Sequence, residues 1–566
     1  MKEITIRTAV IGSGCAGLNA ADWLAMLGET DFALVTEGMN SGTSRNTGSD
    51  KQTYYKLSLA GDEGDSVGEM ASVLKREDVN GDTALCEAAG SAPCFLRLAS
   101  LGVPFPTNEY GEYVGYQTDH DTRRRASSVG PLTSKCMTEA LERSAKQHGV
   151  RVLDHLLACR VDTDRNGVCG LLCLETESRD WLYIHCAHII ACTGGPAQIY
   201  QNRVYPESQH GMSGLAFEAG AAGANLDCWQ YGLASVDFRW NLSGSYQQAL
   251  PRYVSVEADG TEHEFLAEAL GEEEALRLAF LKGYQWPFDP AKVKGSSRVD
   301  ILVKEQEDLG RKVYMDYRRN PSGYALEHLS EEAREYLVNC GADKATPIDR
   351  LAAINAPAIA LYRSHGIDLA TETLRISVCA QHHNGGIAVN SDWQTEIPGL
   401  YVCGEAAGTF GKVRPGGTAL NSTQVGSMRA ARHAAKAQRP LRESAAPEIT
   451  VPTGDAATLQ REMTRVAAFQ RDERGMEALL QKVSEALTHR TPAEINDPAL
   501  EERLLLRDIL LTQREVLSAM LFDLRCGGTE GVLRTRDGHS ERIPARPFPE
   551  RDLWFERVWK KYREEA

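Results

Sequence analysis

The sequence predicts a protein of the α/β class whose main domain is interrupted by an inserted α+β domain and followed by a C-terminal helical domain. Three observations carry that prediction. Residues 5–37 read strand, glycine turn, helix, strand, which is a βαβ unit. The α/β pattern continues to about 231 and resumes at about 351, with further glycine-rich loops around Gly385-Gly386 and Gly404-Glu405. Between these sections, from about 233 to 350, the texture changes to an acidic helix, tryptophans and irregular Gly, Ser and Pro segments.

Taken in order, residues 5–11 (TIRTAVI) form the first strand, 18–27 a helix and 32–36 a strand ending at Glu37. Helix signals follow at 83–101 and 132–148. A hairpin spans 151–174 with its turn at Asp164-Arg165-Asn166-Gly167, and a strand covers 185–191. The first part of the main domain is therefore set at 1–232, the capping domain at 233–350 and the second part of the main domain at 351–439. The C-terminal helical domain is set at 440–566, led in by a proline-containing linker. The last 40 residues carry no clear period.

The chain has 566 residues, enough for two or three domains with sizeable cores. Its net charge of -16 disfavours nucleic acid and anionic lipid, and Arg123-Arg124-Arg125 is the one dense basic cluster. The 14 cysteines form no CxxC and only Cys169 and Cys173 lie close together, as expected of reduced thiols rather than a disulfide framework, an iron-sulfur cluster or a haem. No basic and apolar leader precedes the first strand, and charge breaks every apolar run. A cytoplasmic protein with no membrane insertion is expected. Cys379 and His382 lack a second ligand pair, so no metal site is expected.

Gly12-Ser13-Gly14-Cys15-Ala16-Gly17 sits between strand and helix, with Glu37 and Gly38 closing the next strand about 20 residues further on, the Rossmann-type dinucleotide fingerprint. Gly12 permits the turn, Gly14 lets the backbone approach a pyrophosphate, and Gly17 lets helix and strand pack closely. The helix N-terminus offers free N–H groups to phosphate. Glu37 accepts from ribose hydroxyls and repels a 2′-phosphate, which leaves FAD or NAD. A second glycine loop, Thr193-Gly194-Gly195, follows the strand at 185–191.

In order, the motifs IGSGCAG, GTSRNTGS (42–49), ACTGG (191–195), HGMSGLAFEAGA (210–221), LDCWQY (226–231), HHNGGI (382–387), GLYVCGEAAG (399–408) and RPGGTALNS (414–422) resemble those of the succinate dehydrogenase and fumarate reductase flavoprotein family. That family also contains L-aspartate oxidase and soluble enoate reductases. The resemblance runs from residue 6 to about 530 and implies FAD, a cap inserted in a Rossmann-like FAD-binding domain, and a helical C-terminal domain. It implies that Glu405, after Gly404, binds the ribityl chain, that Ala419 and Leu420 offer N–H groups to the flavin, that Thr43 and Ser44 lie near the pyrophosphate, and that Ala158 lies near the adenine. Relatives with covalent flavin carry a histidine in the segment that here reads Ser41-Gly42-Thr43-Ser44, so non-covalent FAD is expected.

The family moves hydride between flavin N5 and a carbon near a carboxylate. Arg414 matches its active-site arginine, a fixed charge able to clamp a carboxylate. Where relatives have substrate histidines this chain has Gly232 and Gln381, with His382 and His383 one and two positions later. A dicarboxylate site is therefore not retained unchanged. Arg298, with Lys294 second, is the nearest candidate for the proton-transferring arginine of the cap, and Asp50 and Lys51 follow the flavin loop closely enough to reach the site. The expectation is an FAD-dependent oxidoreductase acting on a small anionic or polar substrate. Because no cluster or haem ligands occur, it should use a separate electron-transfer protein, ferredoxin-like or other, and homo-oligomer and heteromer both stay open. The alternatives are a non-catalytic flavin-binding redox sensor or scaffold, and an L-aspartate oxidase-like enzyme.

Overall fold

The computed structural model describes residues 1–60, 64–549 and 563. A five-stranded parallel sheet forms the centre, in the order Leu400–Val402, His188–Ala191, Thr8–Ile11, Phe32–Val35, Val152–Leu153. The strands Thr8–Ile11 and Phe32–Val35 are buried along their whole length, and nearly all apolar, because both faces are covered. The register of Ile190 with Tyr401 and with Val10 brings the two distant halves of the main domain side by side. Helices Cys15–Met26 and Thr418–Lys436 complete that join, with Asn19 Nδ2 donating to the Gln424 carbonyl at 3.0 Å and to Ser427 Oγ at 2.8 Å.

The expected strand at 5–11 divides. Lys2–Thr5 pairs with Asp180–His185 in a separate four-stranded sheet, and only Thr8–Ile11 enters the central one. The first helix starts at Cys15 rather than 18, so the last three residues of the glycine motif are already helical. The hairpin forms as Leu156–Asp164 and Gly167–Glu175; Gly167 takes φ +104° in its turn, and the Asp164 carboxylate accepts from Asn166 N at 2.7 Å.

The cap is built on a six-stranded sheet in the order Trp240–Asn241, Trp229–Ser235, Leu374–His383, Lys312–Asp316, Arg252–Val256, Glu262–His263. Its second and third strands are the two connections to the main domain, so the sheet runs unbroken from the cap to the floor of the site. The expected boundary at 350 falls inside the helix Pro347–Ser364, whose kink at Asn355 (φ -155°, ψ 73°) precedes Pro357. Lys282 and Asp300 form a fully buried ion pair in the cap.

The C-terminal domain has the helices Ala456–Val466, Glu473–Thr488 and Leu500–Cys526. The polar tail holds a hairpin, Val532–Arg536 with His539–Ile543, that adds to Gly223–Ala224 of the main domain. Among the described residues no helix is long and apolar enough to cross a membrane. The basic cluster is spent on structure: Arg125 is buried in ion pairs with Asp65 at 2.6 Å and Asp121 at 3.1 Å.

Candidate functional site

One cavity of about 1280 Å³ runs from Glu37, across the glycine turn and the helix start at Ala419, to the underside of the cap. Ordinary small-molecule sites occupy ~300–1,000 Å³. This one has room for a long dinucleotide and a second ligand together.

Its first half is made of backbone. Gly12 takes φ +105°, and a Cβ on it would lie 2.4 Å from the Cys192 carbonyl oxygen; a Cβ on Gly17 would lie 1.7 Å from the Gly12 oxygen. Turn, strand and helix touch there, and no side chain fits. Gly14 faces Ser44, whose Oγ accepts from Cys15 N at 3.2 Å, so Ser44 stands at the open end of the helix beside Cys15 and Ala16. Gly38 is not in the wall; its carbonyl accepts from Ser13 Oγ at 3.0 Å and fixes the turn.

Two residues not singled out by sequence hold this half together. Gln209 Oε1 accepts from Thr43 N at 3.2 Å and Thr43 Oγ1 at 3.0 Å, while its Nε2 donates to the Thr193 carbonyl at 2.7 Å. It thereby joins the loop at 43 to the loop at 193–195, and Gly194, at φ +71°, leaves space for its amide. His210 Nδ1 bonds Glu37. Burial opposes the charged imidazole, but the bond to Glu37 and its charge outweigh that, and the pKa is raised. A histidine directly before the glycine of HGMSG was the one available signal. Ala158 lines a small adjoining cavity with His210 and Met212 rather than the main one.

Gly195 is in contact with Glu405, a Cβ there falling 2.4 Å from Glu405 Oε1. Glu405 accepts from the Tyr205 hydroxyl and from His383 N, the latter at 2.9 Å. Burial raises its carboxyl to about 7 against the pull of Tyr205, His383 N and Arg414. Gly404 precedes it at φ +69°. Ala419 and Leu420 occupy the first turn of Thr418–Lys436, opened by Gly417 at φ +95°, and both line the cavity. A glycine cradle that a Cβ would fill, two helix N-termini on the cavity and an acid at each end fit an extended dinucleotide.

The second half is made of side chains. Arg414 is held by three neutral groups: Nε donates to Asn384 Oδ1 at 2.9 Å, Nη1 to Thr418 Oγ1 at 3.1 Å and Nη2 to Gln230 Oε1 at 2.6 Å. Burial lowers its pKa to about 10, so it stays cationic at neutral pH. His382 pairs with Gln230 and Tyr231 with Ala380, which leaves Gln381 as the extra residue of a β-bulge. The bulge breaks the alternation of the strand, and Gln381 and His382 both line the cavity. His383 points the other way. Its ring stacks on Trp229 with centroids 4.2 Å apart, its Nε2 lies 3.2 Å from the Leu226 carbonyl, and burial lowers its pKa to about 3. It is a core residue outside the cavity wall.

The cap covers this end with Gln248, Tyr284, Trp286 and Asn355. The indole of Trp286 lies over Gly232, and its Nε1 donates to the Leu233 carbonyl at 3.1 Å. Asp50 clasps the cap to the segment that follows the loop at 42–49, accepting from Ser245 Oγ and from Asn355 Nδ2, the latter at 2.9 Å. Lys51 lines the cavity with no bond to its ammonium among the described residues. Arg298 is not brought to the site. It is partly exposed on the helix Ser297–Asp308 and paired with Glu305 at 3.1 Å, because Asp300 on the same turn faces inward to Lys282; Lys294 is exposed as well. The described part of the cap therefore sends no arginine into the cavity. Among the described residues no cluster of three or more His, Cys, Asp or Glu side chains could hold a metal.

Comparison with known proteins gives concordant results. A family model, the FAD binding domain, matches residues 7–420. The L-aspartate oxidase of Xylella fastidiosa (strain 9a5c) is 25% identical over 438 residues, which is 75% of this chain and 74% of that protein. Among solved structures, a quinol fumarate reductase chain of E. coli superposes with TM-score 0.69 at 17% identity, over 97% of this chain and 98% of that one. A Mycobacterium smegmatis Sdh1 chain gives 0.71 at 17% identity, over 97% and 96%. At such identities the structural likeness speaks for the fold.

Proposed function

The chain belongs to the FAD binding domain family and is an FAD-dependent oxidoreductase; from that premise we propose that it is of the succinate dehydrogenase and fumarate reductase flavoprotein type and acts on a small polar or anionic substrate held beneath the cap by Arg414. The observation that carries the reading is the position of Arg414, in the loop just before the helix Thr418–Lys436, bonded to Thr418 Oγ1 at its first residue and lining the cavity together with residues of the cap. Bound FAD supplies a two-electron acceptor or donor. Gly12, Gly14, Ser44 and Glu37 hold its nucleotide half, and Glu405, Ala419 and Leu420 its flavin half. Arg414 anchors the substrate, and the Trp286 wall excludes water. The FAD is non-covalent, and electrons pass to or from a separate protein.

Anaerobic photoreduction of the yellow holoprotein, followed by single additions of fumarate, other enoates, imines and keto-sugars, tests this. Rapid return of the oxidised flavin spectrum with one class is expected of a reductase, and bleaching of the oxidised flavin by a small polar or anionic reduced substrate is expected of a dehydrogenase; neither response from any class would overturn the reading. Similarity to proteins named L-aspartate oxidase favours a second reading, tested by hydrogen peroxide release from L-aspartate.

A further inference from the structure

Hydride transfer to or from a substrate leaves a proton to be balanced at the neighbouring atom, and the described part of the cap brings no arginine to the cavity to exchange it. Three carboxylates line the capped half: Asp50, Asp119 and Asp121. Asp50 is engaged by Ser245 Oγ and Asn355 Nδ2. Asp121 is held by Arg125 Nη1 at 3.1 Å and by the Tyr55 hydroxyl. The hydroxyls of Tyr116 and Tyr284 bond Thr53 and Glu332, and burial raises both above the ordinary phenol value. His382 keeps Nδ1 on Asn384 Oδ1 at 2.9 Å and has its Nε2 buried.

Asp119 differs from all of these. It is partly buried, its carboxylate has no hydrogen bond or ion pair among the described residues, and neither oxygen is closed off from the surface. The loop around it is fixed. Tyr116 N donates to the Ala126 carbonyl at 2.9 Å, and Thr118 Oγ1 donates to the Gly416 carbonyl at 3.2 Å. A Cβ on Gly416 would lie 3.2 Å from that of Thr118, so the loop rests directly on the segment that carries Arg414. His120, at φ +66°, holds the turn in a left-handed conformation that is costly outside glycine. On the other side is the cap. The charged groups around the carboxylate are Lys292 and Asp289, paired at 3.6 Å, and Lys282, paired with Asp300, together with His120 of its own loop. Burial outweighs the pull of Lys292, His120 and Lys282 and, helped by Asp289, raises the Asp119 carboxyl above the usual carboxylate range.

We propose that Asp119 is the residue that exchanges the substrate proton, working between the Arg414 loop and the cap in place of a cap arginine. The assignment rests on the reading of this cavity as the substrate site. In the reducing direction the substrate's double bond takes a hydride, with its two electrons, from the bound FAD. The neutral Asp119 carboxyl gives a proton to the neighbouring atom and regains one from water. In the oxidising direction the Asp119 carboxylate takes that proton while the hydride leaves to FAD, and the double bond forms.

The test is rapid-mixing kinetics of the FAD holoprotein from about pH 5 to about pH 9. Photoreduced protein is mixed with fumarate, crotonate and fructose, and oxidised protein with succinate, butyrate, L-aspartate and gluconate. With the probe that reacts, Asp119→Asn should lower the rate by about 10²–10⁴-fold. FAD content should be unchanged, and the apparent Kd of the probe, from the concentration dependence of the rate, should move by less than about threefold. In the wild type, reoxidation should slow as pH rises through the Asp119 value, or bleaching slow as pH falls through it, and Asp119→Asn should lack that limb. Asp119→Glu, which keeps the carboxyl, should regain about tenfold or more of the lost rate and keep the limb. A near wild-type rate in Asp119→Asn, or affinity lost in step with rate, overturns the assignment and leaves the oxidoreductase reading standing. So does a limb that survives in Asp119→Asn and vanishes in Lys51→Met, since Lys51 is the other charged group of the capped half without a partner among the described residues. No flavin response of the wild type to any probe overturns that reading and the assignment with it.

Discussion

The two halves of the cavity are built on opposite plans. The nucleotide half is rigid backbone, in which Gly12, Gly17, Gly194 and Gly195 are each fixed by an atom that a Cβ would strike. The half beneath the cap is side chain, with Gln230, Gln248, Gln381 and Asn241 alongside the charged Arg414, Lys51 and Asp50. A backbone cradle recognises what every member of a family shares, whereas a wall of side chains is free to change with the substrate.

The largest effect that would sharpen this contrast is at Gly17. Gly17→Val should leave FAD occupancy near zero and destabilise the protein at or above the top of the ~1–3 kcal/mol range for overpacking, measured by flavin absorbance and urea unfolding. Arg414→Ala should do the opposite, keeping FAD and lowering turnover by about 10²–10³ in steady-state assays. Loss of FAD from that variant would break the division between the halves.

Glu405 lies at the seam. Its carboxyl is raised by burial to about 7, so the native state keeps a proton that the unfolded chain releases above its ordinary 4.5. Wild-type stability relative to Glu405→Gln should therefore fall as pH rises from about 4.5 to about 7, by about 3 kcal/mol in total, and stay level above. Urea midpoints of both apo-proteins across that range measure it; a flat difference would show that the acid is already ionised. The smallest effect belongs to Arg298→Ala. A partly exposed pair with Glu305 contributes ~0–1 kcal/mol, and turnover should be unchanged. A hundredfold loss would return Arg298 to the cap's chemistry.

The same contrast explains what was legible in the sequence. Glycines forced by contact leave a motif, so the turn at 12–17, the acid at Glu37 and the loop at 193–195 could be read directly, while Glu405, Ala419 and Leu420 came from the family resemblance, and the helix expected from Ser422 begins at Thr418. The domain order was legible too, because an inserted sheet interrupts the period of the main one. What stayed hidden depends on long-range register. Gln209 and His210 join loops through partners more than 160 residues away in sequence, and the only local trace of them is the histidine that opens HGMSG. The two histidines at 382 and 383 look equivalent in sequence; only the pairing of Gln230 with His382 separates a cavity residue from a core one. Arg298 failed for the same reason, since helix phase turns Asp300 inward and the arginine out.

The bulge at Gln381 gives the fold a form of adjustability independent of composition. One residue inserted into or deleted from the strand Leu374–His383 would exchange which of three successive side chains faces the cavity, while the hydrogen bond from His383 N to Glu405 marks where that slippage must be absorbed. Evolution can thus retarget the enzyme by shifting a strand by one residue, without touching the nucleotide cradle.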